Sequence, residues 1–131
     1  MEPICSGFEH LSFHDTSIDN IVRGPSTVLI EFSYAFLSRH HPAALGTDWN
    51  IQRGTLQLCN VIGEESLFWY GDRVSGPHPE PHFPIDEVMH ATFEEGKFAF
   101  DGFLKNVPWY EWFVTASGFS LLVQEATPHV D

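Results

Sequence analysis

Wholly apolar and mixed positions alternate regularly along residues 27–37, and this pattern limits the possible folds more than any other segment of the chain. Their sequence is TVLIEFSYAFL, and one side of an extended strand would carry only apolar residues, namely Val28, Ile30, Phe32, Tyr34 and Phe36. A period of two predicts a β-strand that lays this side against a core and leaves its mixed side outward. A helical face through Val28, Phe32 and Ala35 is the alternative, but the β-branched and aromatic residues favour the strand.

Short apolar segments recur along the rest of the chain. Turn residues separate them, among them Gly24-Pro25, Gly96-Lys97 and Ser117-Gly118. Residues 13–22 break the alternation, which predicts a bulge or one helical turn beside the 27–37 strand as its antiparallel neighbour. With about seven or eight strands and little helix, the sequence predicts one mainly β domain over residues 1–131, folded as an antiparallel β-sandwich or an open barrel.

The charge of the chain limits its partners. Eighteen Asp and Glu residues face six Lys and Arg residues, for a formal net charge of −12. Nucleic acid and anionic membranes are therefore poor partners, whereas a basic protein fits this charge. No apolar run reaches the ~20 residues that span a bilayer, and the N-terminus lacks the pattern of a signal peptide. We therefore expect a cytoplasmic protein.

A segment rich in proline and histidine is one candidate site. Residues 71–84, GDRVSGPHPEPHFP, show no strand or helix pattern and predict a long loop. His78 and His82 lie in it and His90 follows it, so a divalent metal such as zinc, iron or nickel held by these three is a hypothesis for a β-barrel. The alternative is a solvated loop without a cofactor, because the prolines exclude the helix on which His78 and His82 would share a metal.

Catalytic motifs are poorly represented in the sequence. His14-Asp15 has the form of the dyad in all-helical phosphohydrolases, but the further His and Asp residues at helical spacing are lacking. The alternative is that Asp15 caps a turn while His14 faces solvent or a neighbouring strand. The sequence also lacks a G-x-S-x-G nucleophile motif, a phosphate-binding glycine loop and a dinucleotide fingerprint. These observations predict a protein that is not an enzyme.

An aromatic segment with a carboxylate is the candidate binding surface. It comprises Trp109, Tyr110, Glu111 and Trp112. Trp and Tyr are common anchors of protein interfaces, so an exposed part of this segment would bind a protein partner or a second copy of the chain. The alternative is that its rings pack in the core.

The N-terminal third resembles a group of small, mostly uncharacterised bacterial proteins. They begin with an F-H-D-(S/T)-x-I-x-x-I pattern and continue as β-rich domains, and some of them look like immunity proteins of toxin systems. The matching residues here are Phe13, His14, Asp15, Ser17, Ile18 and Ile21. Thr16 stands as an extra residue between Asp15 and Ser17, and the His/Pro segment is not part of the pattern. The resemblance implies a binding protein without catalysis. His14 and Asp15 are further candidate binding residues.

The leading hypothesis is a cytoplasmic, non-enzymatic, acidic β-rich protein that binds a basic protein, as an immunity-type inhibitor of a basic bacterial toxin would. One alternative is a β-barrel that binds a small molecule or a metal through the His/Pro segment. The other is a structural subunit of a homodimer.

Overall fold

Ten β-strands account for most of residues 1–130, the part of the chain that the computed structural model describes. The strands are β1 (Leu11–Ser12), β2 (Thr16–Arg23), β3 (Thr27–Leu37), β4 (Trp49–Cys59), β5 (Gly63–Gly71), β6 (Val74–Pro77), β7 (Glu87–Glu94), β8 (Lys97–Leu104), β9 (Val107–Thr115) and β10 (Gly118–Pro128). Two short 3-10 turns, Phe8–His10 and Pro42–Ala44, are the helical elements of these residues. No helix in this part of the chain is long and apolar enough to cross a membrane.

The strands form one antiparallel sheet. Its order is β10-β4-β3-β2-β7-β8-β9-β5-β6, and β1 pairs with β3 beside this path. The prediction of a mainly β, antiparallel chain is confirmed. The predicted count of seven or eight strands is wrong, because the sheet also contains β2 and β6.

Both additional strands lack the strict alternation of apolar and polar residues by which a strand is recognised in a sequence. In β2 the pairing with β3 shifts register between Ile18 and Asn20, so of the two predicted alternatives the bulge is present and the helical turn is not. The predicted antiparallel pairing of this segment with the 27–37 strand is confirmed. β6 lies inside the predicted loop 71–84 and contains Gly76 and Pro77. Strands disfavour both residues except at edges, and β6 is an edge strand of the sheet.

The sheet bends back on itself, so that side chains from distant strands share one core. Phe98 on β8 and Phe119 on β10 are far apart in the sheet order, yet their ring centroids lie 6.2 Å apart. Phe8 contacts both rings, at centroid distances of 5.3 and 5.2 Å. The largest fully buried side chains are Trp112, Phe32, Phe98, Leu37, Ile51, Leu56, Leu58, Ile85 and Leu121. In the described residues the two edge strands, β10 and β6, do not pair, so the sheet remains open.

The alternation of β3 changes phase at Tyr34. Its first half buries Val28, Ile30 and Phe32, as predicted, but Tyr34 is 67% exposed, and Ala35 and Leu37 are buried instead. Tyr34 has a backbone φ of 71°, in the left-handed region that residues other than glycine rarely adopt. This one residue moves the following side chains to the other face, so the predicted core positions of Tyr34 and Phe36 are wrong.

Arg23 connects two strands that are not neighbours in the sheet. From the end of β2, its guanidinium donates to both carboxylate oxygens of Glu64 on β5, at 2.9 and 3.0 Å, and to the carbonyl oxygens of Pro81 and His82. The indole of Trp112 also donates to Glu64, at 3.0 Å. Burial raises the pKa of Glu64, but these hydrogen bonds and the charge of Arg23 outweigh it, and the pKa is lowered from its ordinary 4.5.

Candidate functional site

The outward side of strands β8, β9 and β5 forms a continuous surface of half-buried side chains. On β8 and β9 every second residue is buried, and the residues between them are partly exposed. We call this surface the outer aromatic–acidic face, and it comprises Leu67, Trp69, Asp101, Phe103, Trp109, Glu111 and Phe113. Contiguous apolar side chains at a surface, bordered by polar groups, are typical of an interaction site.

Aromatic rings hold each other in place on this face. The rings of Phe103 and Trp109 meet edge to face, with centroids 5.4 Å apart. The ammonium of Lys97 lies 4.4 Å from the ring centroid of Phe113. The indole N–H of Trp69 donates to the carboxylate of Glu111. These contacts order the rings before a partner arrives, which reduces the entropy lost on binding.

Two carboxylates lie side by side at the centre of the face. Asp101 and Glu111 are direct partners on β8 and β9, an arrangement in which like charges repel. A donor relieves each of them: His90 donates from Nδ1 to Asp101 at 2.8 Å, and Trp69 donates to Glu111. The sheet therefore holds a concentrated negative charge among aromatic rings.

Histidines extend this surface toward the N-terminal segment. The ring centroids of His14 and His90 are 6.5 Å apart. His14 directs Nδ1 to the carbonyl oxygen of Met89 at 3.1 Å, and its Nε2 lies 3.4 Å from a carboxylate oxygen of Asp15. The structure thus places the predicted residue His14 beside both Asp15 and His90, and His90 contacts the outer aromatic–acidic face through Asp101.

The predicted aromatic segment contributes to this face with only one of its two sides. Trp109 and Glu111 point outward, whereas Tyr110 and Trp112 lie in the core, 8% and 0% exposed. The ring of Tyr110 packs against that of Phe68, with centroids 4.7 Å apart and the ring planes tilted by 34°. Tyr110 and Trp112 therefore lie beneath the face and are not part of it.

The three histidines predicted as metal ligands lie in different surroundings. His78 is buried and uses both ring nitrogens: Nε2 donates to the carbonyl of Pro84 at 2.8 Å, and Nδ1 accepts the N–H of Glu80 at 2.8 Å. His82 is exposed, and His90 is bonded to Asp101. Within residues 1–130 no group of three or more His, Cys, Asp or Glu side chains is arranged to hold a metal ion. The metal site stays a prediction that these contacts do not favour.

Sequence reasoning missed part of the outer aromatic–acidic face. Phe103 and Phe113 belong to it because they occupy outward positions of β8 and β9. The signal was present in the alternation of both strands, but both sides of β9 are aromatic, and the pattern does not say which side faces the core. Pairing of the strands decides this, and pairing is a tertiary property.

No protein-family model, curated protein or solved structure matches this chain.

Proposed function

We propose that this chain is a non-enzymatic binding protein that captures a basic protein on the outer aromatic–acidic face. One observation carries the proposal: two ordered carboxylates, Asp101 and Glu111, lie among half-exposed rings on an open sheet face. The rings offer the apolar anchors that dominate binding energy, and the carboxylates select for positive charge. The net charge of −12 speeds the encounter with such a partner.

The other outward face of the sheet differs in chemistry. Across β3, β4 and β10 its central positions carry no aromatic ring: Glu31, Thr55, Gln57 and Ser120 are polar, and Leu29 and Leu122 are aliphatic. Such a surface offers few anchors for a protein partner. The contrast within one sheet supports binding on the outer aromatic–acidic face, and it provides matched positions for control variants.

The resemblance of the Phe13–Ile21 segment to immunity-type proteins suggests the partner's class. We infer that the partner is a basic toxin, which the protein neutralises in the cytoplasm by covering part of the toxin's surface. In this proposal the bent, unclosed sheet is an open barrel, and its outer wall is the binding surface. No metal or other cofactor takes part in the capture.

A lysine-rich peptide that lacks arginine tests the surface directly. We expect the peptide to change the NMR shifts of the protein mainly at Trp69, Asp101, Trp109 and Glu111. The affinity of the peptide should fall as salt rises from about 50 mM to about 500 mM. Shift changes centred on Glu31 and Gln57, or an affinity that does not depend on salt, would contradict the proposal.

Matched substitutions separate the face from general charge. Glu111→Gln and Glu31→Gln remove the same charge from opposite faces, and Trp109→Ala and Leu122→Ala each shorten one apolar side chain. We expect only the changes at Glu111 and Trp109 to weaken peptide binding. Equal losses at both faces would overturn the proposal. So would a concentration-dependent dimer in light scattering that Trp109→Ala dissociates, since a second copy would then cover the face.

A further inference from the structure

A pocket lies where β3 changes phase. Its volume is about 350 Å³, and its lining includes His14, Tyr34, Phe36, Asn50, Ile51 and Gln52. The flanking pairs Ser33–Arg53 and Ala35–Ile51 place Tyr34 opposite Gln52. The pocket is separate from the outer aromatic–acidic face, but His14 borders both, since its ring also lies near His90.

Gln52 lines this pocket, and one atom of its side-chain amide is buried without a hydrogen-bond partner. Its Nε2 donates to the hydroxyl of Thr127 at 2.8 Å, while its buried Oε1 has no hydrogen-bond partner. Exchanging the two amide atoms would only leave the nitrogen without an acceptor in place of the oxygen. A buried polar atom without a partner lowers stability, so it calls for an explanation such as a donor supplied by a ligand.

Tyr34 is the second unusual residue of the pocket. Its left-handed backbone conformation is costly for an aromatic residue, and the hydroxyl of Thr16 donates to its carbonyl oxygen at 2.9 Å. Its ring gains little from burial, because it is 67% exposed. A strained backbone that displays an exposed ring beside an unpaired acceptor is typical of a binding site.

The lining favours a planar cation. None of the described residues that line the pocket is Lys or Arg, and the one basic group, His14, has the carboxylate of Asp15 beside it. Tyr34 and Phe36 supply aromatic rings, and Asn50 and Gln52 line the pocket with neutral amides. A guanidinium stacks on aromatic rings and donates several N–H groups, which matches both features.

We infer that this pocket receives an arginine side chain of the basic partner. The inference rests on the proposed function and adds a specificity element to it. The ring of His14 connects the pocket to His90 and Asp101, so one partner can cover both places. Partners that carry an arginine at this point would then be preferred over partners that carry only lysine.

N-acetyl-arginine amide is the probe, and its isosteric but uncharged citrulline analogue is the control. We expect saturable NMR shift changes at Tyr34, Asn50 and Gln52 with the arginine compound, and about tenfold weaker binding of the citrulline compound. Equal binding of both compounds, or no saturable change with arginine, overturns the inference. Equal binding of N-acetyl-lysine amide also overturns it, because recognition of a planar group would then be absent.

Variants confirm the place of binding. Gln52→Leu removes the unpaired acceptor and should weaken arginine binding about tenfold while the protein stays folded. Gln57→Leu, on the same strand, is the control and should leave binding unchanged. If both variants bind like the original protein, the inference is overturned.

The lysine-rich peptide keeps this inference distinct from the proposed function. Peptide binding at the outer aromatic–acidic face without arginine binding overturns the pocket inference and leaves the proposed function standing. Arginine binding without peptide binding overturns capture of a basic protein, and the pocket is then a site for a small guanidinium compound.

Discussion

The imidazole of His90 donates its Nδ1–H to Oδ1 of Asp101 over 2.8 Å, and the two residues face each other on β7 and β8. A carboxylate can only accept, so this contact fixes the tautomer of a neutral His90 and leaves its Nε2 turned away from Asp101. It also moderates the repulsion between Asp101 and Glu111 on the next strand. A residue near the His/Pro segment thus helps to build the charged centre of the binding face.

Replacing His90 by alanine should destabilise the protein slightly. The loss should be about 0.5–1 kcal/mol, because the side chain is 70% exposed and solvent screens the interaction. Urea unfolding at low and high salt measures it, and the loss should shrink as salt screens the two carboxylates. His82→Ala is the control in the same part of the chain. A loss of the same size in both variants would contradict this role of His90.

Replacing Tyr34 by glycine should stabilise the protein although it removes a large side chain. Relief of the left-handed backbone is worth roughly 1–2 kcal/mol, and the greater freedom of glycine in the unfolded chain offsets about half of that. Ser33→Gly, one residue earlier, should instead destabilise by about 1–2 kcal/mol, because glycine gains freedom in the unfolded chain and the hydrogen bond from Ser33 to Asp19 is lost. Chemical denaturation of both variants decides the matter, and a destabilised Tyr34→Gly would show that its conformation carries little strain.

The alternation of residues 27–37 predicted a strand correctly but could not reveal the phase change within it. Tyr34 is compatible with either face, and its φ depends on how β3 meets β4 and β2, which are distant in sequence. For the same reason, the sequence placed four neighbouring residues of β9 together as binding candidates, and the paired sheet divides them between core and surface. Local pattern determines which residues alternate, whereas tertiary pairing determines which side is buried.

His78 also shows what a sequence cannot reveal. Its neighbours suggested a metal ligand or a solvated loop, yet the ring is buried and bonded twice to backbone. The same arrangement holds His41, whose Nδ1 accepts the N–H of Ala43 and whose Nε2 donates to the carbonyl of Ser6. Both histidines precede a proline, so the His-Pro dipeptide is the local signal, but its distant carbonyl acceptor is visible only in the fold.

Substituting phenylalanine for His78 should destabilise the protein by about 2–3 kcal/mol. The new ring keeps the contact with the ring of Tyr110, whose centroid lies 4.6 Å from that of His78, but leaves the N–H of Glu80 and the carbonyl of Pro84 without their His78 partner. Thermal unfolding of the original protein and the variant measures the loss. Treatment of both with a chelator should not change it, because the loss comes from hydrogen bonds and not from a metal. Stoichiometric zinc, iron or nickel in untagged protein that is lost in His82→Ala would instead support the metal hypothesis.

The contact between Arg23 and Glu64 should make stability depend on pH. The folded pKa of Glu64 lies below its unfolded value near 4.5, so its stabilising effect is fully present above that pH and is lost as the pH falls through the folded pKa. Between pH 7 and pH 3 the free energy of unfolding should therefore decrease less in Glu64→Gln than in the original protein. Arg23→Met should cost about 1–3 kcal/mol at pH 7, since it leaves a partly buried carboxylate with only the Trp112 hydrogen bond. Parallel pH profiles of the original protein and Glu64→Gln would show that this carboxylate does not contribute to acid unfolding.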